Sequence, residues 1–127
     1  MADLVVDASA VVDLLLGNPL GRAVARRLRG HDLHAPAHLD AEVLSALGRL
    51  HRADEVDGRT VAGLLAGLRA APVQRHPLAP VLEGAWARRD RVRLVDAVYL
   101  QLAAQRGCPL VTTDRRLRAE ERVDVIG

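Results

Sequence analysis

Lysine does not occur among the 127 residues, so every one of the 18 basic side chains is arginine. That absence excludes a Walker-type phosphate loop, Schiff-base chemistry and a phosphoacceptor receiver site, each of which needs a lysine amine. Phenylalanine is also missing, and Trp86 and Tyr99 are the only aromatic residues. Leu, Val and Ala must therefore fill the core, and a broad base-stacking platform for nucleic acid is out of reach. The single Cys108 rules out an internal disulfide and a CxxC zinc site, and reads as a small buried hydrophobe beside a strand. No apolar run approaches membrane-spanning length. The first apolar stretch carries Asp3, Asp7 and Asp13 with no basic leader, so a signal peptide is not expected and a cytoplasmic location is. His31, His34, His38 and His51 form neither HExxH nor a compact zinc set, which leaves them surface or packing roles.

The chain has the length of one domain with one core, and half its residues are hydrophobic, so a single domain over residues 1–127 is expected. Apolar runs of strand length alternate with helix-length segments. Strands are predicted at 4–7, 32–35, 73–76, 109–112 and 123–126. Between them lie a helix capped by Ser9 and running to about Leu16, where Gly17-Asn18-Pro19 breaks it, and helices at about 20–29, 39–52, 57–70, 79–89, 95–106 and 115–121. Alternation of this kind implies an α/β fold with a mainly parallel sheet covered on both faces. Gly63-Leu64-Leu65-Ala66-Gly67 is a small-xxx-small pattern suited to close helix packing, in the core or between subunits.

Two aspartates stand where short apolar strands end: Leu4-Val5-Val6-Asp7 and Leu110-Val111-Thr112-Thr113-Asp114. Ligands of open α/β sheets bind at the carboxyl ends of the strands. Like charges held close in a half-buried crevice repel, and a hard cation such as Mg²⁺ or Mn²⁺ relieves the repulsion. Glu42 lies at the border of the apolar stripe of Leu39, Val43, Ala46, Leu47 and Leu50, about 80° from its centre at 100° per residue. It can reach inward, or serve only as an acid in a first helical turn. Asp96 shares a helical face with Tyr99, Leu100 and Ala103, where a buried acid needs a reason; a helix cap is the alternative. Thr112 points the same way as Asp114 along an extended segment, and Ser9 is within hydrogen-bonding reach of Asp7, so both suit a supporting shell. Asp13 reads as a solvent-facing residue, Asp40 as a helix-opening acid, and Asp90 as a partner of the arginines around it. Those arginines fall into clusters at 26–29, 88–93 and 115–118. Each alone is explained by a solvated helix face, while the set suits contact with phosphate backbones.

Val5-Val6-Asp7-Ala8-Ser9, Ala41-Glu42-Val43-Leu44-Ser45-Ala46-Leu47, Asp96-Ala97-Val98-Tyr99-Leu100-Gln101-Leu102-Ala103 and Leu110-Val111-Thr112-Thr113-Asp114-Arg115-Arg116-Leu117, in this order and at this spacing, resemble PIN-domain ribonucleases. The likeness is greatest to the VapC toxins of bacterial toxin–antitoxin pairs and covers essentially the whole chain. The resemblance implies a three-layer α/β/α sandwich around a five-stranded parallel sheet. It implies a homodimeric endoribonuclease using Mg²⁺ or Mn²⁺, in which Asp7, Glu42, Asp96 and Asp114 form the catalytic metal site supported by Ser9 and Thr112. Water activated by the cation attacks phosphorus in line and the 3′ oxygen leaves. Arg88, Arg89, Arg115 and Arg116 are the candidates for holding RNA. A small VapB-like antitoxin, and a larger complex on operator DNA bound through it, are implied as partners. Some relatives carry a further acid where this chain has Arg115, Arg116, Leu117 and Arg118, which leaves one or two metal ions open. The rival classes fit poorly. A haloacid-dehalogenase-type phosphatase needs an acid at the position of Ser9, and dinucleotide binding needs a GxGxxG after the first strand. A non-catalytic PIN-like module that binds RNA or a partner is the alternative, and the filled acidic positions argue against it.

Overall fold

An apolar run such as Leu4-Val5-Val6 has no polar face to offer water, so it is stable only as a strand buried on both sides. In the computed structural model, which describes residues 2–127, that run is the middle of the molecule. β1 (Asp3–Val6) is followed by α1 (Ala8–Leu16), α2 (Pro19–Leu28), β2 (Asp32–Pro36), α3 (Leu39–Arg52), α4 (Gly58–Ala70) and β3 (Val73–His76). A 3₁₀ turn at Ala79–Val81 leads into α5 (Leu82–Ala87) and α6 (Leu94–Arg106). β4 (Leu110–Thr112), a second 3₁₀ turn at Arg115–Leu117 and β5 (Val123–Val125) complete the order.

The five strands are parallel and lie in the order β3-β2-β1-β4-β5. The chain builds outward from β1 in one direction through β2 and β3, then returns to the other side of β1 for β4 and β5. The winding therefore reverses between β1 and β4, where Val5 pairs with Leu110 and Val6 with Val111. Beyond the carboxyl ends of these two strands the connections diverge to opposite faces of the sheet and leave a crevice. α6, with α5 against it, packs over β1, β2 and β4, while α1 lies on the other face with α2, α3 and α4 around it. This is the three-layer α/β/α arrangement expected of the sequence. The core joins Leu4, Val5, Val6, Leu110 and Val111 of the sheet to Leu39, Val43 and Leu47 of α3 and to Tyr99 of α6, all at most 1% exposed. His34 is buried within β2, its Nδ1 2.9 Å from His76 Nε2 and its Nε2 3.1 Å from Asp3, a packing role of the kind the spacing of the histidines predicts.

One helix start differs from expectation, and at another the structure decides between the alternatives. Asp7, not Ser9, caps α1, because its own carboxylate accepts from the Ala10 amide; Ser9 lies inside the first turn. Asp96 caps nothing: Arg93 occupies the cap position of α6 without a side-chain bond. The predicted helix over 79–89 is split into the 3₁₀ turn and the short α5, and the segment over 115–121 holds only the 3₁₀ turn Arg115–Leu117, which Asp114 caps by accepting from the Arg116 amide. Of two charged residues, Asp90 departs from its reading, while Asp40 stands in the first turn of α3 as expected and gains a partner. Asp90 enters no ion pair among the described residues, whereas Asp40 takes the Arg75 guanidinium at 2.9 Å and so ties α3 to the C-terminal end of α4. Of the small residues in α4, Gly67 faces Leu15 of α1 at ordinary contact distance, and Gly63 faces nothing within 4 Å.

The tightest helix crossing involves Gly21. Asn18 caps α2 by accepting from the Gly21 amide at 2.7 Å, and a Cβ at Gly21 would stand 1.9 Å from the Asp13 carbonyl oxygen of α1. Backbone cannot yield as a side-chain tip can, so Gly21→Ala must push α2 off α1. The expected cost is about 1–3 kcal/mol, read as a melting temperature lower by about 5 °C or more. A Gly21→Ala protein that melts with the wild type would mean that α2 has freedom to shift.

Candidate active site

Where β1 ends, Asp7 takes an extended conformation (φ −100°, ψ 175°) and turns its side chain back over α1. Its Oδ1 accepts from the Ala10 amide at 3.0 Å and from Ser9 Oγ at 2.8 Å, and its Oδ2 accepts from the Thr112 hydroxyl of β4. Ser9 Oγ and Thr112 Oγ1 lie 3.1 Å apart, with both hydroxyl protons available to the carboxylate. The same hydroxyls accept in turn, Ser9 from the Thr113 amide at 3.2 Å and Thr112 from the Asp114 amide at 3.0 Å. The two residues expected as a supporting shell therefore bind Asp7 directly and fix the backbone that leads to Asp114.

Glu42 reaches in from the first turn of α3. Its Oε1 accepts from the Tyr99 hydroxyl at 2.6 Å and lies 3.3 Å from His38 Nε2, while the His38 ring packs on Tyr99 with centroids 4.7 Å apart. Asp96, from the first turn of α6, takes Arg93 Nε at 3.0 Å. Asp114 receives the fork of Arg116, Nε on Oδ1 at 3.0 Å and Nη2 on Oδ2 at 2.7 Å. The four acids line one open cavity of about 360 Å³ at the β1/β4 crevice. One further acid and three arginines belong to it. Asp13, read from the sequence as solvent-facing, lines the cavity with its carboxylate held by Thr113 Oγ1 and Asn18 Nδ2, each at 2.8 Å. Arg49 and Arg93 line it as well. The signal for these was spacing: Asp13 lies one helical turn from Ser9, and Arg49 one and two turns from Ala46 and Glu42. Of the arginines expected to hold RNA, Arg116 is at the cavity and Arg115 is exposed next to it. Arg88 binds Gln101 of α6 and Arg89 stacks on Trp86 at 4.7 Å, both outside the lining.

Comparison with known proteins gives the family and the fold. Residues 4–122 match the PIN domain. Ribonuclease VapC3 of Mycobacterium tuberculosis is 52% identical over 126 residues, which is 98% of this chain and 92% of that protein. The chain belongs to the PIN-domain family, within its VapC group. Among solved structures, the sarcin–ricin-loop-cleaving toxin VapC20 of Mycobacterium tuberculosis superposes with a TM-score of 0.71 at 19% identity, covering 98% of this chain and 99% of that one. A toxin–antitoxin complex from Klebsiella pneumoniae gives 0.67 at 18% identity, with 96% of each chain covered. At these identities the two structures speak for the fold.

The electrostatics of this PIN domain are uneven. Burial pushes the Asp7 carboxyl up to about 6, against the hydrogen bonds of Thr112, Ala10 and Ser9 and with help from the Asp96 charge. Burial also acts to raise Glu42, but the hydrogen bonds from His38 and Tyr99 and the charges of His38 and Arg93 outweigh it and hold the carboxyl below its usual range. The Arg116 hydrogen bond leads the causes that lower Asp114. Burial and Glu42 raise Tyr99, so its phenol stays neutral and donates. Among the described residues, no three His, Cys, Asp or Glu side chains form a ready-made metal cage. The donor set nonetheless suits a hard cation: carboxylates converge on one cavity, and in this arrangement two of them draw positive charge from Arg93 and Arg116.

The raised Asp7 has a measurable consequence. Between about 3.8 and about 6 the folded chain keeps a proton that the unfolded chain has released, so stability falls as pH rises through that window, by about 3 kcal/mol in all. In chelator, the melting temperature of Asp7→Asn relative to wild type should climb across that range by several degrees. Asp114→Asn should show no such gain, since it loses the Arg116 pair. Parallel curves for wild type and Asp7→Asn would show that Asp7 ionises normally.

Proposed function

We propose that this protein is a Mg²⁺- or Mn²⁺-dependent endoribonuclease, a toxin that hydrolyses RNA phosphodiester bonds and is neutralised by a cognate small antitoxin. The 52% identity with Ribonuclease VapC3 over nearly the full length supports ribonuclease activity. The observation that carries the metal-dependent reading is the convergence of Asp7, Glu42, Asp96 and Asp114 on one cavity at the β1/β4 crevice. These four would hold the cation, with Asp13 at the same wall. Bound there, a divalent cation supplies a water of lowered pKa and offsets charge developing on the phosphoryl oxygens.

The rest is the work of the chain itself. Thr112 and Ser9 hold both oxygens of Asp7 and keep its carboxylate from rotating. The neutral Tyr99 phenol fixes Glu42, and its bond favours the ionised carboxylate. Arg49, Arg93 and Arg116 stand at the rim where the backbone phosphates of an RNA strand would pass; Arg115, Arg88 and Arg89 extend the basic surface. With Trp86 and Tyr99 the only aromatics and Tyr99 buried, recognition rests on RNA shape and a few base-edge contacts. A VapB-like antitoxin, a homodimer and a joint complex on operator DNA belong to the same reading; the VapC relatives and the likeness to a toxin–antitoxin complex support the antitoxin.

Purified protein should cut a structured RNA in Mg²⁺ or Mn²⁺ and stop in EDTA. Asp7→Asn and Asp114→Asn should lose cleavage by orders of magnitude while remaining folded, because the cation loses an anionic ligand. Asp90→Asn, exposed and outside the lining of the cavity, should keep activity. Undiminished cutting in EDTA would sink the metal-dependent reading, and growth arrest that no co-expressed neighbouring small protein relieves would sink the antitoxin.

A further inference from the structure

Two arginines of this chain occupy the acids that a cation would need. Arg116 lays its Nε and Nη2 on the two oxygens of Asp114 and adds its backbone amide to Oδ1 at 3.0 Å. Arg93 gives its Nε to Asp96 at 3.0 Å. The acids are largely enclosed, at 17% and 13% exposure, while the arginine side chains are 64% and 59% exposed. The carboxylates are thus anchored and the guanidinium groups are the partners free to leave. A place for them exists. Arg93 and Arg116 line both the acidic cavity and an adjoining cleft of about 170 Å³. The other walls of that cleft are Arg91, Val92 and Leu117, and its only acid is Asp96. Arg91 itself is held, among the described residues, only by Glu120 at 3.4 Å and is 62% exposed. Turned away from the acids, the three guanidinium groups would surround a space the size of a phosphate, with one carboxylate against them.

We infer that Arg93 and Arg116 are exchangeable counter-ions: they neutralise Asp96 and Asp114 while no cation is bound, and when a cation displaces them they turn into the adjoining cleft and hold a phosphate of the RNA. The inference rests on the proposed metal-dependent ribonuclease and adds that its cation and its RNA compete with, and then recruit, the same two side chains. Cation on the acids and phosphate on the arginines each remove the other's competitor, so the two ligands assist one another, and reciprocally. The chain departs here from a simple cage of acids, in which arginines would only bind RNA and their loss would leave metal affinity unmoved.

The two roles give opposite signs on removal of an arginine. Titration calorimetry with Mn²⁺ and no RNA should give a Kd lower than wild type by about two- to five-fold in Arg93→Ala and in Arg116→Ala, the range expected for loss of one exposed ion pair. In the same variants at saturating Mn²⁺, KM for RNA should rise, and the slope of log affinity against log salt should fall by about one. Arg118→Ala, exposed and in no ion pair among the described residues, should leave the Mn²⁺ affinity where it was and so controls for loss of charge at a distance. Circular dichroism confirms that each variant is folded. If the wild type binds Mn²⁺ and the folded Arg93 and Arg116 variants bind it no more tightly, the counter-ion role is overturned while the metal site stands. Tighter Mn²⁺ binding with KM and salt slope unchanged overturns the exchange into the cleft. A wild type that binds no Mn²⁺ overturns the metal site and this inference with it.

Discussion

The Asp7 carboxylate is the point at which three elements are joined. It ends β1, caps α1 through the Ala10 amide and receives a hydroxyl from β4 through Thr112. Desolvating a carboxylate is costly, and here three donors offset only part of that cost, so the group stays half-reluctant to ionise. Removing those donors would leave a buried charge with nothing to hold it. The placement of Ser9, Thr112 and the chain leading to Asp114 follows from this one group, because the same two hydroxyls that serve Asp7 also accept the amides of Thr113 and Asp114.

Around that point the acids are kept in different electrical states. Asp7 is raised by burial, Asp114 is lowered by Arg116, and Glu42 is lowered by Tyr99 and His38 against its burial. Crowded carboxylates of equal character would repel without structure to their repulsion. Here each has its own partner, drawn from a different element, so the cavity stays open and negatively lined while its walls are neutral enough to fold. A site prepared in this way has charge to offer a cation and arginines to offer an anion. Both are needed to bring a metal and a phosphate into the same crevice.

The strand and helix pattern was legible because it is local. Continuous apolar runs such as Leu4-Val5-Val6 and Leu110-Val111 can only be buried strands, and Asn18-Pro19 and Gly107 end or start helices through their own backbone preferences. The four acids were legible for a similar reason, since Asp7 and Asp114 follow strands and Glu42 and Asp96 sit at or within apolar helical faces. What went unread were the short elements, where a 3₁₀ turn and a helix share the same residues, and the ownership of caps. Ser9 and Asp7 are equally good capping types, and only the approach of Thr112 from β4 decided that Asp7 turns back over α1.

The sequence by itself therefore determined the order of strands and helices, the buried stripes and the set of carboxylates at their ends, all of which depend on neighbours along the chain. Tertiary structure alone decided who faces whom. It set the strand order that puts β4 beside β1 and brings together residues more than a hundred positions apart. It turned Asp13 and Arg49 into the cavity and left Arg88 and Arg89 outside it, and it gave Asp40 to Arg75 and Glu42 to Tyr99. Charge pairing depends on distances of a few ångströms across elements, and no pattern along the chain encodes those distances.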